Sequence, residues 1–277
     1  MSARLAPPPI AIRAAGIGVL RRAGARDGVS LVLLHGIGSN AGSFSSMIEA
    51  LDPSLDILAW DAPGYGGSEP LAIASPQPSD YAQALAGVLD ALRLERIVLA
   101  GHSLGALFAG SFAAAFPERI MALALLSPAL GYRVPLGGVL PPHVQGRIDD
   151  LDRLGPEAFA ASRAARLVYL AETKPEVLAR TRAAMASLDP AGYAQAVRAL
   201  GHGDLLADAA DITAPTCVAV GAEDVVTPPA GARELYSVLG NRCFYEEIPV
   251  TGHALPQEAP AAVAALLQRL IEEARHG

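Results

Sequence analysis

The sequence predicts an α/β domain: a mostly parallel sheet with helices on both faces, interrupted by one helical insertion. Three observations carry that prediction. Short apolar runs alternate with helical patterns along most of the 277 residues, the rhythm of a parallel sheet covered by helices. Several of these runs are almost unbroken, as in strands buried on both faces. From about Gly131 to Asp208 the rhythm stops, and only helical patterns remain. The expected division is therefore a core formed by residues 1–130 and 209–277, with residues 131–208 inserted as a lid. Hydrophobic residues make up 52% of the chain and charged residues 18%, enough for a large core and too apolar for a disordered chain.

In chain order, residues 1–13 are broken by three prolines and charged near both ends, unlike the apolar stretch of a secretion leader. Leu31–Leu34, Ile57–Trp60, Ile97–Ala100, Ala122–Leu126, Cys217–Val220 and Phe244–Ile248 read as strands. Between them, Tyr81, Leu85, Val88, Leu89 and Leu92 repeat at a helical period. Arg233–Leu239 reads as a helix closed by Gly240 as its C′ residue. A last helix opens near Pro256 and places Val263, Leu266, Leu267, Leu270 and Ile271 on one stripe. The insertion begins with the Gly- and Pro-rich run GYRVPLGGVLPP, read as a mobile loop, followed by helical patterns at Phe159–Leu170, Pro175–Ser187 and Ala191–Leu200.

Composition narrows the chemistry. A net charge of −7 argues against a general nucleic-acid or anionic-membrane binder, and no window offers the roughly 18 consecutive apolar residues of a membrane helix. The reading is a cytoplasmic protein acting on a small molecule, with a homodimer left open. Two cysteines, Cys217 and Cys243, lie in strand-like runs and fit neither a disulfide framework nor a zinc site. No H-E-x-x-H occurs, which disfavours a metal hydrolase. The single lysine, Lys174, sits between Thr173 and Pro175 and reads as an exposed turn.

The sharpest signal is Gly101-His102-Ser103-Leu104-Gly105, placed directly between a strand run and the helical run Ala106–Phe116. In that context G-x-S-x-G is a nucleophile elbow. The strand must turn abruptly into the helix, leaving the Ser103 hydroxyl projecting, and the glycines on either side let backbone pack on backbone. The helix that follows aims its N–H groups at any developing anion.

A hydroxyl needs a base. Of six histidines, His253 is the choice, because it follows the last strand at the same sheet edge as the elbow. His102 is adjacent to Ser103, with its side chain expected to point away. His35 reads as a loop anchor and His202 as an outsider. The base needs a carboxylate to fix its tautomer. Asp224, just after the strand Cys217–Val220, is the candidate, with Glu223 its neighbouring rival. The backbone N–H groups of Leu104 and Ile37 are placed to stabilise an oxyanion.

Taken together, His35-Gly36-Ile37-Gly38, Asp61-Ala62-Pro63-Gly64-Tyr65-Gly66-Gly67-Ser68, the elbow, Asp224 with Thr227-Pro228, and Gly252-His253 resemble the α/β-hydrolase superfamily over nearly the whole chain. The order Ser103, Asp224, His253 is that of the family's triad. The resemblance implies an eight-stranded, mostly parallel sheet, a helical cap after the sixth strand, a structural role for the Asp61–Ser68 loop, and no cofactor. Ser103 sets the chain apart from the dehalogenase and epoxide hydrolase branches, which use Asp. What remains is similar to enol-lactonases of aromatic degradation, small carboxylesterases and hydrolases that cleave carbon–carbon bonds of ring-fission products. The last group usually carries Trp after the histidine, where this chain has Ala254. Ester or enol-lactone hydrolysis therefore ranks first, carbon–carbon cleavage second, and acyl transfer or perhydrolysis is the remaining alternative. Gly36, His102, Tyr169 and Arg166 are the expected substrate contacts. Arg163, Arg180, Arg182 and Arg198 are further candidates for a substrate carboxylate, and Leu136, Val139, Leu140 and Phe159 for an apolar pocket.

Overall fold

The structure, a computed structural model, describes residues 7–25 and 29–276, the side chain of His276 excepted. Residues 1–6 of the segment read as leaderless lie outside the described residues. The strands are β1 (Ile10–Ala14), β2 (Ile17–Arg22), β3 (Ser30–Leu34), β4 (Asp56–Trp60), β5 (Ile97–His102), β6 (Ile120–Leu126), β7 (Thr216–Gly221) and β8 (Arg242–Ile248). They form one sheet of eight strands in the order β1-β2-β4-β3-β5-β6-β7-β8. β1 and β2 pair antiparallel with each other and β2 with β4; the other neighbours are parallel.

β1 and β2 are absent from the residue-by-residue reading, and their chemistry explains why. β1 is an edge strand, largely exposed, so it lacks the solid apolar run that marks the central strands. Its turn, Ala15-Gly16, has both φ angles positive, 48° and 78°, the geometry of a tight hairpin turn, but Ala in the first place hides the signal.

The central strands show the period of two that builds a double-sided core. Leu31, Leu33, Ile57, Ala59, Val98 and Ala100 face one side, against α1 (Ser45–Ala50) and the Val263–Ile271 stripe. Val32, Leu34, Leu58, Trp60, Ile97 and Leu99 face the other, against α2 (Pro78–Ala91) and α3 (Leu104–Ala115). Every residue of β3, β4 and β5 is buried, so only helices on both faces can complete the core.

Between β6 and β7 lie α4 (Pro142–Arg163), α5 (Pro175–Ala186), α6 (Pro190–His202) and α7 (Leu205–Asp208), with short 3-10 turns at Ala164–Leu167 and Ala171–Thr173. Within this stretch the sequence patterns predict no helix before Phe159. α4 in fact starts at Pro142 and breaks at Gly155 (φ 74°), followed by Pro156, and that Gly-Pro pair reads locally as a loop. Phe159–Leu170 is likewise not one helix. α8 (Pro229–Val238) ends on Leu239 in extended backbone, so Gly240 is not a left-handed cap. The last helix is two, α9 (Leu255–Glu258) and α10 (Pro260–His276), divided at Pro260, whose ring cannot continue a helix. Cys217 is buried and Cys243 half-buried, both as free thiols. Among the described residues, no helix is long and apolar enough to cross a membrane.

Candidate active site

The elbow is built where β5 gives way to α3. Ser103 has φ 54° and ψ −115°, a conformation that costs roughly 1–3 kcal/mol for a non-glycine residue. It is held there by Ser103 N–H donating to Leu126 O at 2.9 Å and by Ser103 O accepting from Ala106 N and Ala129 N at 3.0 and 3.1 Å. A Cβ on Gly101 would lie 2.1 Å from Gly105 O, and one on Gly105 would lie 2.1 Å from Leu34 O. Both positions are closed to any side chain by backbone that cannot give. Gly105→Ala is expected to cost about 3 kcal/mol or more; a urea-denaturation midpoint equal to wild type would refute this packing.

Three side chains distant in sequence meet here. Ser103 Oγ lies 3.0 Å from His253 Nε2, and His253 Nδ1 lies 2.8 Å from Asp224 Oδ2. All three are at least nine-tenths buried. Asp224 Oδ1 accepts from the N–H groups of Val226 and Thr227 at 2.8 and 2.9 Å. Burial opposes the Asp224 charge, but the hydrogen bond and charge of His253 and these two N–H groups outweigh it, holding the carboxyl at about 2. A carboxylate fixed on Oδ1 presents Oδ2 as an acceptor only. His253 therefore carries its proton on Nδ1 and turns a bare Nε2 toward Ser103.

Glu223, the sequence rival of Asp224, does not reach the imidazole; its Oε2 accepts from Thr251 N at 3.0 Å and steadies the loop before His253. His102 does not point away, as its adjacency to Ser103 suggested. Its Nε2 donates to His253 O at 2.7 Å, and the two rings stand 5.1 Å apart. Burial, then the neighbouring His253, pushes the His102 imidazole down to about 3, so it is neutral. His35 accepts from Ala62 N on Nε2 at 3.0 Å, which forces its proton onto Nδ1, 2.8 Å from Gly36 O. His202 is bound to Val134 O through Nδ1 and to Ser75 Oγ through Nε2, and has no bond to Ser103.

The peptide joining Gly36 to Ile37 is locked. Gly36 O accepts from His35 Nδ1 and from Ser39 N, the latter at 3.1 Å, and the next peptide is held in turn by Ile37 O accepting from Tyr65 Oη at 2.9 Å. In a trans peptide the Ile37 N–H points opposite to Gly36 O. Leu104 opens α3, so its N–H has no partner inside the helix. Both residues line the cavity in front of Ser103.

That cavity measures about 620 Å³ and lies between the sheet edge and the helices that follow β6. Gly36, His102 and Arg166 line it. Tyr169 does not: its N–H is bound to Glu258 Oε2 at 3.0 Å, and Lys174 Nζ lies 5.7 Å from its ring centroid. Of the proposed apolar lining only Phe159 is present. Leu136 and Val139 are 64% and 93% exposed, and Leu140 packs on the core. Arg180, Arg182 and Arg198 are also outside this cavity, whereas Arg163 lines it with its charge taken up by Asp150 at 2.6 Å. Lys174 is no free turn; it is bound to Glu258 at 2.7 Å. Three residues with a bearing on the site carry no role in the sequence reading. Thr227, 3.0 Å from Asp224 Oδ2 and 3.2 Å from His253 Nδ1, lies in a segment that only the family resemblance marks. Arg147 and Glu258 look like surface charges on helices, and only the packing brings them inward.

A family profile described as serine aminopeptidase, S33, matches residues 27–260. A pimeloyl-[acyl-carrier protein] methyl ester esterase of Chromobacterium violaceum is 28% identical over 234 residues, 82% of this chain and 88% of that protein. A 2-hydroxy-6-oxononadienedioate/2-hydroxy-6-oxononatrienedioate hydrolase of Pseudomonas putida is 36% identical over 110 residues, and the match spans only 38% of either chain. The enol-lactonase of Burkholderia xenovorans LB400 superposes with a TM-score of 0.83 over 95% of this chain and 100% of that one at 24% identity, a likeness of fold.

Proposed function

Because this chain belongs to the serine aminopeptidase S33 family and is a hydrolase of α/β-hydrolase fold, we propose that it cleaves a small carboxylic ester or enol-lactone through an acyl-enzyme on Ser103. The observation that carries the reading is the continuous relay from Ser103 Oγ through His253 to Asp224, at 3.0 and 2.8 Å. His253 Nε2 takes the hydroxyl proton as Oγ attacks the acyl carbon. The N–H groups of Ile37 and Leu104 receive the oxyanion, each worth roughly 3 kcal/mol of barrier. Protonated His253, stabilised by Asp224, returns the proton to the leaving oxygen. Water then attacks the acyl carbon as His253 takes its proton, the Ser103 Oγ–acyl bond breaks, and His253 returns that proton to Oγ as the acid leaves. The helices after β6 act as a lid over the acyl group.

The cavity wall also carries Arg147, Arg163 and Arg166, with Asp150 the acid beside them. Arg163 is paired with Asp150, and Arg166 reaches Val225 O at 3.4 Å. Arg147 lies beside Tyr193, its charge opposing the upward push of burial on that phenol. An acyl chain ending in a carboxylate would find a matching charge there. The partial match to the Pseudomonas putida hydrolase supports carbon–carbon cleavage as the second reading.

A panel of neutral esters, carboxylate-bearing esters and enol-lactones, run beside a ring-fission-type dioxo acid and repeated with added alcohol, tests the proposal. Turnover of esters or lactones to free acid is expected, with carboxylate-bearing acyl chains preferred. Turnover of the dioxo acid alone would replace the first reading by the second, and ester product with the alcohol in excess of acid would make the protein an acyltransferase.

A further inference from the structure

The loop carrying His253 is held largely by charged side chains. Glu258, at the end of α9, has a side chain with no exposed surface. Its Oε1 accepts from Gly252 N, next to His253, at 3.0 Å. Its Oε2 accepts from Tyr169 N at 3.0 Å and from Lys174 Nζ at 2.7 Å, both on the segment between α4 and α5. Lys174 Nζ donates a second time, to Val250 O at 2.9 Å, and Ala254 N donates to Leu167 O at 2.8 Å. The contact leaves no room: a Cβ on Gly252 would sit 2.8 Å from Tyr169 N and 3.0 Å from Glu258 Oε1.

We propose that Glu258, neutralised by Lys174, is a positioning residue for His253. One carboxylate oxygen fixes the peptide before the imidazole, and the other fixes the Leu167–Lys174 stretch above it. Alignment of the base then depends on that stretch staying docked. A buried carboxylate is tolerable only with such partners, and charge-assisted bonds hold it in one place. The inference rests on His253 being the base for Ser103.

Glutamine is the informative replacement. Every group facing Glu258 is a donor, so an amide must set its NH₂ against Gly252 N–H or against Tyr169 N–H and Lys174. The loop must shift, and displacements of about 1 Å can cost up to about 100-fold in rate. With a p-nitrophenyl ester and sites counted by titration, Glu258→Gln should lower kcat about tenfold while KM changes less than twofold. The rate of phosphonylation of Ser103 by a fluorophosphonate should fall by the same factor. Lys174→Met should lose about fivefold in kcat, and Lys174→Arg, which restores the cation, should recover at least half of wild type.

A merely structural pair would lower the melting temperature and the titrated fraction but leave kcat per site unchanged, and that result overturns the proposal. Should Glu258→Gln fail to fold, the two Lys174 variants decide: equal kcat in Met and wild type overturns it, as does Arg no better than Met. A wild type that no phosphonate labels at Ser103 would sink the nucleophile reading and this inference with it. Labelled wild type with equally fast labelling of the variants sinks this inference alone.

Discussion

Ser103→Ala should remove turnover, lowering kcat by about 10⁴-fold or more while the fold survives. The size follows from the covalent route: without Oγ there is no acyl-enzyme, and knocking out the nucleophile of such a relay costs about as much as removing the whole of it. The fold should persist because the contacts that keep Ser103 at φ 54° run through its backbone N–H and carbonyl. Its side chain contributes the bond to His253 Nε2, and Ala fits the same strained angles. Ester hydrolysis and a thermal melt on one purified sample check both halves. Wild-type turnover by this variant would end the assignment of Ser103 as nucleophile.

Asp224→Asn should lower kcat by roughly 10⁴-fold for a different reason, the tautomer of the base. Val226 N–H and Thr227 N–H both point at the Oδ1 position, so the amide oxygen must sit there. The NH₂ then occupies the Oδ2 place and donates to His253 Nδ1. The imidazole proton moves to Nε2, which faces Ser103 as a donor and can no longer accept its proton. The same substitution has a signature in stability against pH. The Asp224 carboxyl is held at about 2 against an ordinary 3.8. A depressed carboxyl stabilises the folded chain above its unfolded value, and that contribution fades as pH falls from about 4 toward 2. Its full size is on the order of 2 kcal/mol. Urea denaturation at pH 6 and pH 3 should show wild type losing more stability than Asp224→Asn between the two. Equal losses, or a variant retaining a tenth of wild-type kcat, would show that Asp224 does not govern His253.

Much of the fold is legible because the central strands are two-sided. Leu31–Leu34, Ile57–Trp60 and Ile97–Ala100 are nearly pure apolar runs, and each is buried on both faces. The hairpin of β1 and β2 is illegible for the converse reason: β1 is an exposed edge that needs no apolar run, and the turn has Ala15 where Asn or Asp before Gly16 would mark it. α4 escapes because Gly155 and Pro156 break it into two helical pieces, and a Gly-Pro pair reads locally as a loop. Among the site residues, Ser103 is marked by glycines whose absence of side chain is forced by backbone 2.1 Å away, a constraint that has to be written into the sequence. Asp224 and His253 are legible as groups that follow strands at one sheet edge. Glu223 against Asp224 is not decided that way, since two adjacent carboxylates share every local feature. The choice came from which side chain the β7–α8 turn directs at the imidazole.

By itself, then, the sequence determined the layered architecture and the strand–turn–helix that bares a serine. Both depend on local periodicity and on the steric size of individual residues, which any stretch of chain carries with it. The tertiary structure alone decided the protonation geometry around that serine and what surrounds it. It turned His102 onto the carbonyl of His253, took Tyr169 away from the cavity, brought Arg147 to it, and buried Glu258 against Lys174. Hydrogen-bond direction and burial arise only when segments as far apart as residues 102 and 253, or 174 and 258, share one dry volume, and no local pattern encodes that meeting.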